Sequence, residues 1–447
     1  MSTLFGTDGV RGRPGEPPLD RVTLARLGAA VARAVRPDDR PASVLIGRDT
    51  RESGVWITGE LARGLVFEGA RVADAGVLPT PAVACLARDG DYDAGLVVSA
   101  SHNPYQDNGV KVIIGSGEKA DEALESTITD RVRDERWQVP GGPAPSLTAI
   151  PGEPAYLDHL VRVFEPTSVP VGFGVALDCA NGATSRVGPA VYRRLGFDPV
   201  VIHDRPDGRN INLACGSTHP DALVRTVVDR GCRFGAAFDG DGDRVVFVDH
   251  AGALVDGDAI LLIAARRLAG AGRLPGRAIV ATVMSNLGLE QVLAGDGVTV
   301  HRCPVGDRSV WVEMRRRGAT LGGEQSGHII FSDLLPTGDG LATSLLIARA
   351  VIETGRDLAD LAADLVPLPQ VLVNARVGRR VPLDDLPGVL ARIADAERTL
   401  GREGRVLVRY SGTEALLRVM VEGRDRGTIE GLAGAIADQA RAEIGES

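Results

Sequence analysis

Three stretches of this chain repeat one order: an apolar strand, a loop of small or polar residues, then a helix. They are SVLIGRDTRESG (Ser43 to Gly54), GVALDCANGATSRVGPAVYRRLGF (Gly174 to Phe197) and AIVATVMSNLGLEQVLAGDG (Ala278 to Gly297). Near-continuous apolar strands alternating with helices need cover on both faces, which predicts mostly parallel α/β sheets. The similarity is one of pattern, too loose for a sequence repeat, and it predicts three related α/β domains. A Pro/Gly-rich stretch without period, PGGPAPSLTAIPGEP (Pro140 to Pro154), and the shorter VPLPQ (Val366 to Gln370) read as linkers. After the second, VLVNARV, RVLVRYS and ALLRVMVEG read as strands and TIEGLAGAIADQARAEIG as a closing helix, a smaller α+β domain. The expected domains are 1–150, 151–252, 253–367 and 368–447.

The 447 residues suit about three domains as a soft prior, with 44% hydrophobic and 24% charged residues as in ordinary globular chains. A net charge of −9 argues against a nucleic-acid or membrane-surface binder. It leaves phosphorylated small molecules open, because a local Arg cluster can outweigh the global balance. Five dispersed cysteines without a C-x-x-C pair suggest a reducing compartment and no structural zinc. The start, MSTLFGTDGVRG, lacks the apolar core of a signal peptide, and no run approaches the ~18 apolar residues of a span. The expected location is the cytoplasm.

Five stretches bear chemistry. In VVSASHNPYQDNGVK (Val97 to Lys111) a strand breaks into a Ser/His/Asn loop, and strand ends in α/β domains are where ligands bind. Ser101 needs a base, a lowered pKa or a metal to act; His102 is its neighbour, although adjacent side chains need not face each other. On this window alone a strand-terminating turn explains the residues equally well. Only two lysines occur in this Arg-rich chain, Lys111 and Lys119.

In AAFDGDGDRVVFVD (Ala236 to Asp249), Asp239, Asp241 and Asp243 alternate with glycines. Residues at i, i+2 and i+4 of extended chain point the same way, and three converging carboxylates call for a hard cation, Mg²⁺, Mn²⁺ or Ca²⁺. An EF-hand is excluded: its loop positions 6 and 12 would hold Arg244 and His250 in place of Gly and Glu. A solvated acidic turn is the weaker alternative.

RYSGTEALLRVMVEG (Arg409 to Gly423) offers Arg409 and Arg418 as forked donors and Ser411, Gly412 and Thr413 as a loop able to approach a phosphate. LGGEQSGHII (Leu321 to Ile330) alternates Glu324, Ser326 and His328. Glu324 and Ser326 suit sugar hydroxyls, although by itself this stretch reads as a polar loop. The opening LFGTDGVRGRPGE carries Thr7, Asp8 and Arg11 in a glycine-laced arm of a kind more often floppy than functional, although Phe5 and Val10 give it something to bury and Arg11 could then be held at a site. There is no G-x-x-x-x-G-K, and no G-x-G-x-x-G opens a helix after a strand, so neither ATP nor NAD is implied.

Taken in order, FGTDGVRG, SASHNPYQDNGVK, DGDGDR, GEQSGH and R-x-S-G-T-E resemble the α-D-phosphohexomutase superfamily over the whole chain. Gln325 and the FGTDG opening point to its branch acting on glucosamine phosphates; phosphomannomutases and phosphoglucomutases more often carry Met in place of Gln325. The resemblance implies four domains around a central cleft, a phosphoserine at Ser101, and one Mg²⁺ held by Ser101, Asp239, Asp241 and Asp243. It implies interconversion of glucosamine 6-phosphate and glucosamine 1-phosphate through a hexosamine 1,6-bisphosphate, with a hexose 1,6-bisphosphate as activator. Glu324 and Ser326 would hold the sugar. Arg409, Ser411, Gly412, Thr413 and Arg418 would grip the idle phosphate, and Arg11, His102 and Arg244 would orient the moving one. A homodimer and a place in UDP-N-acetylglucosamine synthesis are also implied.

Because the attacking hydroxyl must lose a proton, Lys111 is expected to serve as general acid/base, its pKa lowered by neighbouring cations. The alternative is a simple charge partner for phosphate. Lys119 is expected to face solvent. Tyr410 and Ala415 replace the two prolines usual in the phosphate loop, which is expected to free its backbone. Phosphomannomutase or phosphoglucomutase activity, a metal-dependent phosphatase and a non-enzymatic sugar-phosphate sensor are the competing readings.

Overall fold

The structure is a computed structural model that describes residues 4–6, 8–134, 136–165, 167–411 and 416–445. Four sheets follow one another along the chain. The first has six strands in the spatial order Val10–Gly12, Asn108–Ile114, Ala94–Val98, Ser43–Arg48, Arg71–Val77 and Thr148–Ala149. Its interior pairs are parallel, and Asn108–Ile114 turns the sheet antiparallel towards the N-terminal arm. The second has five strands, with parallel pairs around Val175–Asp178 and an antiparallel hairpin of Phe234–Phe238 with Val245–Asp249. The third has four strands, Ala278–Thr282 lying parallel to Leu321–Gly323, which pairs antiparallel with Ile329–Phe331. The fourth is a small antiparallel sheet of Gln370–Arg376, Leu416–Gly423 and Gly404–Tyr410 in that order. The expected α/β class with a smaller C-terminal domain is therefore present.

The unbroken apolar strands are buried for the reason their sequences suggest. Every residue of Ala94–Val98, Phe234–Phe238 and Val245–Asp249 is buried, because helices or loops cover both faces. Two helices, Arg21–Val35 and Gly54–Phe67, pack so closely that a Cβ at Gly28 would lie 2.0 Å from the Leu61 carbonyl oxygen and one at Gly64 1.8 Å from that of Ala25. Only glycine allows that approach. Asp20 caps the first of these helices by accepting from the Val22 and Thr23 amides.

Two local features differ from the sequence reading. The Pro140 to Pro154 stretch contributes an edge strand, Thr148–Ala149, and starts a helix at Gly152. In the last domain a helix over Pro387–Leu400 packs with Arg426–Ile444 and supplies Val389 and Ala396 to the core.

The chain divides into two compact units, Met1–Thr282 with Val300–Ala363, and Val283–Thr299 with Asp364–Ser447. The helix Leu287–Gly295 thus groups with the C-terminal sheet. No helix of the described residues is long and apolar enough to cross a membrane.

Candidate active site

The serine loop follows the buried strand Ala94–Val98. Ser101 has φ 53°, the left-handed region, where a non-glycine residue costs on the order of 1 kcal/mol or more. In that conformation its hydroxyl donates to Asp239 Oδ2 at 2.6 Å and lies 3.4 Å from His102 Nδ1. Serine and acidic loop, 138 residues apart in sequence, therefore meet through one short hydrogen bond.

The acidic loop joins the hairpin strands Phe234–Phe238 and Val245–Asp249. Asp239, Asp241 and Asp243 are all buried, and one oxygen from each lies within 4.8 Å of the others. Gly242 makes the turn at φ 71°, with no room for a Cβ, which would sit 2.6 Å from Thr184 Cγ2. Thr80 orients Asp241, its hydroxyl donating to Oδ2 at 2.6 Å and its amide to the Asp241 carbonyl at 2.9 Å. Burial, then the charges of Asp243 and Asp241, push the Asp239 carboxyl well above the usual range. Asp241 Oδ1 and Asp243 Oδ1 are buried without a hydrogen-bond partner. Oxygen-only donors, two of them orphaned, around a carboxyl made reluctant to ionise by its neighbours fit a hard divalent cation.

Lys111 reaches this cluster from the strand Asn108–Ile114. Its ammonium donates to Asp241 Oδ2 at 2.8 Å and Asp243 Oδ2 at 3.1 Å, and lies 3.1 Å from Asp8 Oδ2. Where the sequence reading expects cations around it, its three close partners are the carboxylates of Asp8, Asp241 and Asp243. Burial lowers its pKa, but the charges of Asp241, Asp243 and Asp8 outweigh that and hold it well above the ordinary value. Asp243 in turn is raised by burial but brought down to about 2, chiefly by Lys111 and then by His328 and Lys119.

Lys119 is a second correction, because it does not face solvent. It donates to Asp8 Oδ1 at 2.6 Å and to Asp307 Oδ2, with 13% of its side chain exposed. Burial lowers it, but Asp307 and Asp8 raise it to about 12. Asp307 begins the helix Asp307–Arg317, so Lys119 ties the first sheet's domain to the third's. Sequence reading missed Asp307 and Thr80, since neither falls in a recognisable motif.

Arg11 lies in the strand Val10–Gly12, paired with Asn108–Ile114, and Phe5 and Val10 are buried as the arm's anchors. Its guanidinium bonds Asp8 at 2.5 Å and reaches Asn103 Oδ1 at 3.5 Å. Thr7 lies outside the described residues. The Arg244 amide donates to Asp239 Oδ1 at 3.1 Å and its guanidinium lies 3.2 Å from His102 Nδ1. Arg cannot accept, so His102 Nδ1 is the acceptor. Burial, then Arg244 and Arg11, lower the His102 pKa, which keeps the ring neutral at pH 7.

Glu324 follows the strand Leu321–Gly323 and is buried. It accepts from the Gly306 amide at 3.0 Å and from the Ser326 hydroxyl at 3.4 Å. Ser326 itself is exposed. Gly327, at φ 91°, packs so tightly on the acidic-loop hairpin that a Cβ would lie 2.1 Å from the Val245 carbonyl oxygen. Gln325 donates to Asp256, the N-cap of the helix Gly257–Gly270, and not to the site. A cavity of about 440 Å³ is lined by Asp8, Arg11, His102, Asp243, Arg244, Asp307, Glu324 and His328 among others. It brings the N-terminal arm, serine loop, acidic loop and Glu324 loop to one wall. Ser101 and Lys111 lie just beneath that wall, each about 1% exposed.

In the C-terminal unit Arg409 and Arg418 are directly cross-strand. Arg418 donates to the Ser411 hydroxyl at 3.3 Å, and Arg380, absent from the sequence reading, donates to the Ser411 carbonyl. Gly412 and Thr413 lie outside the described residues, as does Ala415. Tyr410 does more than fail to be proline: its hydroxyl donates to the Val381 carbonyl at 2.6 Å and accepts from the Val381 amide at 3.1 Å, tying down the loop's entry.

The chain matches the phosphoglucomutase/phosphomannomutase family in four parts: alpha/beta/alpha domain I over residues 2–139, domain II over 154–252, domain III over 256–368 and the C-terminal domain over 372–439. It is 47% identical over 444 residues to a phosphoglucosamine mutase of Solibacter usitatus, covering 99% of both chains. It is 46% identical to that of Saccharopolyspora erythraea, covering 98% of this chain and 99% of the relative. Among solved structures it resembles a phosphoglucomutase/phosphomannomutase family protein from Burkholderia thailandensis, with a TM-score of 0.82 at 23% identity, covering 100% and 99% of the two chains. It also resembles N-acetylphosphoglucosamine mutase of Aspergillus fumigatus, solved with GlcNAc-6P and magnesium, with a TM-score of 0.65 at 19% identity, covering 98% and 96%. The chain belongs to the phosphoglucomutase/phosphomannomutase family of α-D-phosphohexomutases and is an isomerase of that class.

Proposed function

We propose that this enzyme interconverts glucosamine 6-phosphate and glucosamine 1-phosphate, with Ser101 as the phosphoryl carrier. The observation that carries the reading is the Ser101 hydroxyl, 2.6 Å from Asp239 of a buried carboxylate triad whose Asp243 lines a cavity of about 440 Å³. The sugar preference rests on full-length relatives at 42–47% identity that carry the phosphoglucosamine mutase name.

In the forward direction the phosphoryl of phosphorylated Ser101 passes to O1 of glucosamine 6-phosphate. The new P–O bond forms at the sugar as the P–Oγ bond breaks, and the proton the sugar hydroxyl loses matches the one Ser101 Oγ regains. The 1,6-bisphosphate turns end for end, its 6-phosphoryl returns to Ser101, and glucosamine 1-phosphate leaves. Asp239, Asp241 and Asp243, with an oxygen of phosphorylated Ser101, would hold Mg²⁺, which would neutralise charge on the transferring phosphoryl group. Lys111 would act as a charge partner, although its partners are the Asp241 and Asp243 carboxylates and not the phosphate of the alternative reading. Arg11, Arg244 and the neutral His102 line the cavity where the transferring group would sit. Glu324 and Ser326 take the sugar hydroxyls, and Arg409, Ser411, Gly412, Thr413 and Arg418 the idle phosphate. A hexose 1,6-bisphosphate would prime unphosphorylated Ser101. All five cysteines are free and buried, which fits a cytoplasmic enzyme.

The test is kcat/KM with Mg²⁺ and a catalytic amount of hexose 1,6-bisphosphate for glucosamine 6-phosphate, glucose 6-phosphate and mannose 6-phosphate. A clear preference for the first supports the reading. A preference for either other sugar overturns the substrate and keeps the mechanism, while release of inorganic phosphate without isomerisation overturns both.

A further inference from the structure

Ser101 is held in its left-handed conformation by groups remote from the cavity. Arg51 is completely buried, and all five of its side-chain N–H donors are used. Nε donates to Asp49 Oδ2 at 2.8 Å. Nη1 donates to the Pro104 carbonyl and, at 2.9 Å, to that of Asp107. Nη2 donates to the carbonyls of Ser101 at 3.0 Å and Asn103 at 2.8 Å. One guanidinium thus closes four carbonyls of the serine loop around itself.

The same two carbonyls that take Nη2 also take a second donor from another domain. Asn212 Nδ2 lies 2.8 Å from the Ser101 oxygen and 3.0 Å from that of Asn103. Asn212 is buried and itself has φ 57°, a region Asn tolerates better than most residues. On the amide side, Ser101 N donates to Ser99 Oγ at 2.9 Å, and Ser99 Oγ donates to Asp49 Oδ2 at 2.6 Å. Both ends of the Ser101 peptide are therefore tied to the Asp49–Arg51 pair. The acidic loop is seated against the same carbonyl: a Cβ at Gly240 would lie 2.6 Å from the Ser101 oxygen and 2.8 Å from Asn212 Nδ2.

We propose that Arg51 and Asn212 are positioning residues that clamp the Ser101 and Asn103 carbonyls from two domains and so aim the Ser101 oxygen at the acidic loop and the cavity. This rests on the reading of Ser101 as the phosphoryl carrier. Neither side chain lines the cavity, so the clamp acts on transfer geometry and not on substrate binding. Lysine cannot replace Arg51, because a point charge with three donors cannot span four carbonyls and a carboxylate.

The experiment measures single-turnover phosphoryl transfer from phosphorylated Ser101 to sugar phosphate, with KM and Mg²⁺ affinity alongside, for the unaltered enzyme, Asn212→Ala and Arg51→Lys. Small misplacements of a reacting group cost up to about 100-fold. We expect Asn212→Ala to slow transfer about 10-fold and Arg51→Lys about 100-fold, with KM and Mg²⁺ affinity within about two-fold. Transfer within about two-fold of the unaltered rate in folded Asn212→Ala overturns the clamp, as does a loss accounted for wholly by KM. If Arg51→Lys fails to fold, Asn212→Ala decides alone, since Arg51 then keeps its grip. Absence of transfer in the unaltered enzyme overturns the carrier reading and the clamp together, and is thereby distinguished from failure of the clamp alone.

Discussion

Lys111 Nζ lies 2.8 Å from Asp241 Oδ2, with both side chains out of solvent. The pair joins a strand of the first sheet to the acidic loop of the second. Removing one member leaves a buried charge uncompensated, which costs about 3–5 kcal/mol. Lys111→Met should therefore lower stability by that order in denaturant unfolding without divalent metal, and Mg²⁺ should restore part of it. No loss of stability would mean that the pair is not formed in solution.

Lys111→Arg tests the corrected role. Burial lowers the Lys111 pKa, but the carboxylates of Asp241, Asp243 and Asp8 outweigh it and raise the pKa, so the variant should lower the height of the pH–rate profile and leave its shape unchanged between roughly pH 6 and 9. Disappearance of an ionisation from the profile would reinstate Lys111 as acid/base.

Thr80 touches the acidic loop without being one of its three carboxylates, its hydroxyl donating to Asp241 Oδ2 at 2.6 Å. Outer-sphere partners of this kind are worth about 10–100-fold in metal affinity. Thr80→Val should weaken Mg²⁺ binding at least about 10-fold by calorimetry, and Asp243→Asn more severely. Equal Mg²⁺ affinity in both variants would place the cation elsewhere.

Asp339 is buried, caps the helix Gly340–Thr354 and accepts from the Tyr156 hydroxyl at 2.8 Å, but its other oxygen is unpartnered. Burial raises its pKa to about 6. The folded state therefore binds this proton more tightly than the unfolded chain does. Its contribution is fully favourable below the unfolded value near 4 and is lost as pH rises to about 6. Asp339→Asn should gain about 2–3 kcal/mol in stability at pH 7 and little at pH 4, read from unfolding curves at the two pH values. A gain independent of pH would contradict the burial of an ionised carboxylate.

Tyr410 stands where a proline would stiffen the phosphate loop, and its hydroxyl makes two bonds to Val381. Tyr410→Phe should cost about 1 kcal/mol of stability and raise KM a few-fold with kcat nearly unchanged. A fall in kcat at constant KM would show that the loop acts on the chemistry and not on binding.

The sequence by itself determined the elements and the chemistry of each loop. The apolar runs FGAAF and VVFVD read as strands covered on both faces, and the glycines of DGDGD let the chain between them turn so that three carboxylates converge, because these are properties of a short piece of backbone. The tertiary structure alone decided what each loop meets. Lys111 is 130 residues from Asp241, and no local pattern reveals that its neighbours are anions and not cations, the fact that sets the direction of its pKa. Lys119 reads as exposed in a polar loop until Asp8 and Asp307, 111 and 188 residues away, close over it. Arg51 looks like one more charge after a strand until four carbonyls of the serine loop and the Asp49 carboxylate take up its five donors. A charge acts through space and periodicity acts along the chain, so the folding of distant segments onto one another settled the electrostatics of this site.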